Sequence, residues 1–111
     1  GVIQFTGKIS QTYISTISLD EIFFGLAAKP KPRILQRFEI FVADQCIVLP
    51  VTAEIAKCSG QLRGHLRTKG IIRSQANMLI AATARQHNLQ PVTRNVKDFE
   101  QCDVDILNPY I

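Results

Sequence analysis

The sequence predicts an α/β fold, a three-layer α/β/α sandwich around a mostly parallel sheet, and three observations predict it. Short β-branched or apolar runs at 12–18 (TYISTIS), 47–51 (IVLPV) and 89–93 (LQPVT) alternate with helical patterns of about ten or more residues. Helix-start signals stand directly after strand-like runs, with Ser18 and Thr52 as the caps. At 111 residues, 46% hydrophobic and 20% charged, the chain has the size and composition of one globular domain spanning 1–111.

Taken in order, residues 1–11 are the least patterned, and Val2, Ile3 and Phe5 fit the end of a helix or a short strand. The run 12–18 alternates and is rich in β-branched side chains, so it reads as a strand. Ser18 is then expected to cap a helix, with Asp20 and Glu21 in its first turn and Glu21 completing a capping box. Lys29-Pro-Lys-Pro-Arg33 breaks that helix, and Pro32 opens the next, which runs to about Ala43. Ile34, Leu35, Phe38, Phe41 and Val42 share its broad apolar face. A strand at 47–51 leads to Thr52, cap of a helix with Ile55, Cys58 or Ser59, Leu62 and Leu66 at helical spacing and Gly70 at its end. Ser74 caps a further helix whose span 76–84 is polar only at Asn77 and Thr83, the mark of a buried helix. Arg85, His87 and Asn88 suit its carboxyl end, and the strand 89–93 follows. Pro91 donates no hydrogen bond, so it belongs at a strand's start or beside a free edge. The span 103–107 reads as a last short strand, ended by Asn108-Pro109.

In an open α/β sheet, ligands bind beyond the carboxyl ends of the strands. Asn77 opens a helix, Asn95 follows a strand and Asp98 lies one helical turn further, so these three are expected to converge on one polar pocket.

The stretch ANMLIAATARQHNLQPVTRNVKDF, with ILNPY at the end, resembles the second half of PIN-domain ribonuclease toxins of the VapC/FitB type. In that family a helix opening D-A-L-I-A-A-T-A precedes a strand, then T-R-N or T-R-D and D-F. YISTISLDEIFFGLAA resembles the family's second strand and second helix, so the likeness covers nearly the whole chain after Gln11. The resemblance implies a type II toxin–antitoxin module and a metal-dependent endoribonuclease using Mg²⁺ or Mn²⁺. It also implies an RNA substrate, a cognate antitoxin protein as partner and a homodimer. Hard dications take anionic oxygen ligands and polarise a bound water for in-line attack on phosphate.

The family's cluster is an Asp after the first strand (D-T-N), a Glu in the second helix, an Asp opening the later helix, and an Asp or Asn after T-R. Glu21 matches the second, Asn77 stands at the third and Asn95 at the fourth, with Asp98 an extra acid nearby. For Glu21 the capping and metal-site readings are compatible. No D-T-N occurs, and the residues before TYISTIS are too few for the family's first strand and first helix, so that N-terminal strand is expected to be missing. An amide oxygen can coordinate a metal but adds no negative charge. Catalysis is therefore expected to be impaired or absent, and the second reading is a non-catalytic scaffold that binds RNA or an antitoxin-type protein.

Arg63, Arg67, Lys69, Arg73 and Arg94 are the candidate phosphate contacts, or else a solvated face. The net charge of +4 and pI near 9.2 are compatible with a polyanionic partner. No nucleophilic Ser or Cys accompanies His65, and His87 reads as a helix-terminal cation. Cys46, Cys58 and Cys102 are odd in number and lack metal-ligand spacing, as in reduced cytoplasmic proteins, and they read as small buried hydrophobes. No apolar run approaches the ~18 residues of a membrane span, and no secretory leader is recognisable.

Overall fold

The computed structural model describes residues 4–6, 12–92 and 99–102, of which 4–6 and 92 are described in backbone only. The elements are β1 (Gln4–Thr6), β2 (Thr12–Ser15), α1 (Thr16–Ala28), α2 (Pro32–Gln45), β3 (Cys46–Leu49), α3 (Ala53–Thr68), α4 (Gln75–Gln86) and β4 (Gln90–Val92). The α/β class stands, with helices dominating the chain.

The expected strand 12–18 stops at Ser15, and Ser15, not Ser18, caps α1. Its hydroxyl accepts from the Ile17 N–H at 3.0 Å. A helix that starts this early places Ser18 in its first turn, buried, and Glu21 beyond that turn. The capping box expected at Glu21 therefore does not form. The strand expected at 47–51 instead spans Cys46–Leu49, because Pro50 has no N–H to continue a ladder. Pro32 opens α2 as expected, and that helix runs two residues further than the pattern suggested.

The two expected caps that follow are present. Thr52 accepts from Ile55 N at 3.2 Å and Ser74 from Asn77 N at 3.1 Å. Helix α3 ends in a Schellman motif, Ile71 N to Leu66 O at 2.9 Å and Gly70 N to Arg67 O at 2.9 Å, and the turn requires the positive φ of Gly70, 79°. The same motif closes α4, Leu89 N to Ala84 O at 2.8 Å, with Asn88 at φ 53°. Residues tolerant of left-handed backbone stand at both ends.

The described sheet has the order β3-β2-β1-β4. β2 and β3 pair in parallel, from Thr12↔Cys46 to Ser15↔Leu49. β1 runs antiparallel to both of its neighbours, with Phe5↔Tyr13 on one side and Gln4↔Val92, Phe5↔Pro91 and Thr6↔Gln90 on the other. β2, β3 and β4 therefore share one direction, and β1 alone is reversed. The central position beside β2 is filled by Gln4–Thr6, not left open as the expected loss of a first strand implied.

The core lies between α3, α4 and the sheet. Leu62 and Leu66 of α3 meet Met78, Ile80, Ala81 and Ala84 of α4, with Leu49, Phe99 and Cys102 closing the cluster. The apolar character of 76–84 has its reason here: Met78 and Ile80–Ala84 are all buried. Thr83 satisfies its hydroxyl by donating to the Leu79 carbonyl at 2.7 Å. Helix α2 differs, for none of its residues is buried, although it carries Ile34, Leu35, Phe38, Ile40, Phe41 and Val42.

Candidate functional site

Two candidate side chains fall within the described residues, and topology relates them. Helix α1 begins directly at the carboxyl end of β2, and Glu21 lies in its second turn, exposed. Helix α4 reaches β4 through a tight turn and packs against it, so its starting end lies towards the carboxyl end of β4. Asn77 sits in that starting turn, half-buried, with its N–H on the Ser74 hydroxyl. The helices α1 and α4 touch each other. Asn95 and Asp98 lie outside the described residues, as does Arg94.

Among the described residues no group of three His, Cys, Asp or Glu side chains gathers as a metal site. Glu21 and Asn77 together offer one anionic carboxylate and one neutral amide. Such a pair has too little negative charge to hold Mg²⁺ or Mn²⁺ by itself, because affinity for hard dications rises with the ligand charge count.

The basic residues divide. Arg63, Arg67 and Lys69 are exposed along the end of α3. Arg73 is half-buried, and its Nη2 donates to the Glu100 carbonyl at 3.4 Å, while its buried Nε finds no hydrogen-bond partner among the described residues. Arg73 thus ties the α3–α4 connection to the segment after residue 98, a structural role that its sequence position did not signal. Arg85 makes a similar tie, Nη1 to Cys58 Sγ at 3.8 Å between α4 and α3. His65 offers its backbone carbonyl to the Thr68 hydroxyl at 2.6 Å.

Of the cysteines expected to be buried, only Cys102 is; Cys46 and Cys58 are half-buried. The Cys102 thiol lies 3.6 Å from Met78 Sδ, and burial pushes its pKa up, against the opposing pull of Arg73 and Arg85. Burial also raises that of Cys46.

The model of the family described as PIN domain matches residues 3–105. The chain is a PIN-domain protein of the VapC/FitB type. The VapC ribonuclease Y4jK of Sinorhizobium fredii is 32% identical over 92% of this chain and 77% of its own length. Toxin FitB of Neisseria gonorrhoeae is 31% identical over 92% of this chain and 78% of its own. Among solved structures, DNA-bound VapBC from Salmonella typhimurium superposes with a TM-score of 0.76 at 30% identity, covering 86% of this chain and 73% of that one. FitAcB from Neisseria gonorrhoeae gives 0.72 at 27% identity over 88% and 75%. The sequence motifs and the PIN fold therefore agree on the family.

Proposed function

We propose that this chain is a VapC-type toxin nuclease of a type II toxin–antitoxin module whose metal site is depleted of charge, so that RNA cleavage is very low or absent. The observation that carries the proposal is Asn77 in the capped first turn of α4, beside the helix that bears Glu21. Asn95 and Asp98 complete the proposed set of four. With Glu21 and Asp98 as its two acids, the set brings a dication to formal neutrality and leaves no excess negative charge to hold it. The donor set does not fit a tightly held Mg²⁺ or Mn²⁺.

RNA is the proposed substrate class, with Arg63, Arg67 and Lys69 exposed for phosphate contact and Arg73 and Arg94 extending the patch. The neighbours solved as VapBC and FitAB assemblies support a protein antitoxin as partner. No described helix is long and apolar enough to cross a membrane, and a cytoplasmic setting suits an RNA substrate. A homodimer accounts for the uncovered faces of α1 and α2. Phe24 is 73% exposed, Ile34 51% and Ile40 54%, while Phe23 and Phe38 meet edge to face at 5.7 Å between the two helices. Exposed apolar groups gathered in this way mark a surface for association. Sedimentation is expected to show a dimer that Phe24→Asp dissociates; a monomer at all accessible concentrations would overturn the assignment.

The activity test is cleavage of a mixed RNA pool with Mg²⁺, with EDTA as control. Little or no cleavage is expected, and Asn77→Asp should raise Mn²⁺ affinity while recovering little activity. Robust cleavage that EDTA abolishes would refute the charge argument. Salt-sensitive RNA binding without cleavage would favour the scaffold reading.

A further inference from the structure

The charged residues from Asp20 to Asp44 are sorted by their place along one helical hairpin. Helices α1 and α2 are joined through Lys29, Pro30 and Lys31, and Phe23 meets Phe38 across the pair at 5.7 Å. On the loop side of that ring contact lie Lys29, Lys31, Arg33 and Arg37; on the far side lie Asp20, Glu21, Glu39 and Asp44. The four cations and four acids cancel in sum, yet the hairpin is basic at its tip and acidic at its base. All eight are exposed, and none forms an ion pair with another described residue.

Between the charged ends the surface is apolar. Phe24, Ile34 and Ile40 are exposed there, and no residue of α2 is buried. An apolar centre with a polar rim is the anatomy of an interface. Pro30 and Pro32 restrict the backbone around Lys31, so the tip presents its cations at little further cost in entropy. The charge pattern selects the occupant. A uniformly acidic partner would be repelled by the base, and a uniformly basic one by the tip. A second copy turned end for end satisfies both, because a twofold axis brings each basic tip to an acidic base.

We propose that two copies pack these hairpins face to face and end for end, about a twofold axis near the Phe23–Phe38 contact. Arg33 and Arg37 of each copy then meet Asp44 and Glu39 of the partner subunit. Lys29 and Lys31 lie over the end of the partner's α1 that carries Asp20 and Glu21. Each copy thereby brings cations to the edge of its partner on which Glu21 stands. This orientation rests on the homodimer reading above.

The test uses the full chain in sedimentation equilibrium. Arg33→Glu with Arg37→Glu leaves α2 acidic along its length, and Glu39→Arg with Asp44→Arg leaves it basic. Each double variant alone should dimerise about tenfold or more weakly than the parent, because like charges then face each other. An equimolar mixture of the two should form a heterodimer with about the parent's affinity, since every α2 contact is again between opposite charges. Carbodiimide, which joins touching carboxylates and lysines, should link Lys29 or Lys31 of isotope-labelled parent chains to Asp20 or Glu21 of unlabelled ones. Failure of the mixture to associate, or links confined to single chains, would overturn the end-for-end packing. A dimer that survives both double variants but is dissociated by Phe24→Asp upholds the homodimer reading and refutes this orientation. A parent that stays monomeric at all accessible concentrations refutes both.

Discussion

Replacing Phe99 by alanine tests the packing that holds the segment after Asp98 against the domain. The ring is 1% exposed and belongs to the cluster built from Leu49, Leu62, Leu66, Met78, Ile80, Ala81, Ala84 and Cys102. Its neighbours come from β3, α3 and α4, three elements fixed by their own hydrogen bonds, so they cannot collapse freely into the space left behind. A Phe→Ala change at such a site costs about 3–5 kcal/mol. Set against the roughly 5–15 kcal/mol of an ordinary domain, that is about a fifth or more of the stability. For 111 residues the unfolding entropy makes each kcal/mol worth about 4 °C, so Tm should fall by about 12–20 °C. Phe99→Leu, which keeps most of the volume, should cost under about 1.5 kcal/mol. Thermal and urea unfolding followed by far-ultraviolet circular dichroism measure both variants. A fall in Tm of less than about 4 °C for Phe99→Ala would mean that the ring is not packed between α3 and α4, and the reasoning would fail.

Ser74→Ala removes the acceptor for the Asn77 N–H and should cost about 1 kcal/mol, read as a shift of the urea midpoint at unchanged slope. Ser74→Asp should restore it, and a neutral Ser74→Ala would show that the cap contributes nothing. The Cys102 thiol gives a pH dependence. Its folded pKa is raised above 9.0, so the unfolded chain releases the proton first as pH rises. Its contribution is full below that pH and is lost as pH climbs through the folded value. Tm measured from neutral to strongly alkaline pH should therefore fall less steeply in Cys102→Ala than in the parent, and parallel curves would contradict the burial of this thiol.

Much of this protein was legible in its residues because the signals are local. Thr52 and Ser74 bond N–H groups three residues on, Gly70 and Asn88 take the left-handed positions that end α3 and α4, and Pro32 opens α2. The largely apolar run of 76–84 announced a helix with much of its surface in the core, and the motif spacing announced the PIN family. The candidate set Glu21, Asn77, Asn95 and Asp98 was named from the resemblance in that spacing.

Tertiary structure decided the rest. Two serines three residues apart, Ser15 and Ser18, are both competent caps, and propensity does not rank them; Ser18 is drawn into the helix because β2 ends where its ladder with β3 ends, at Ser15↔Leu49. Arg73 also makes a tie to Glu100 that no sequence pattern marks, because its partner is a backbone carbonyl distant in the chain. The direction of β1 is the clearest case. A period of two says which residues share a face but nothing about which way a strand runs, since parallel and antiparallel ladders accept the same side chains. That direction was set by two neighbours, one of them almost the whole length of the domain away in sequence.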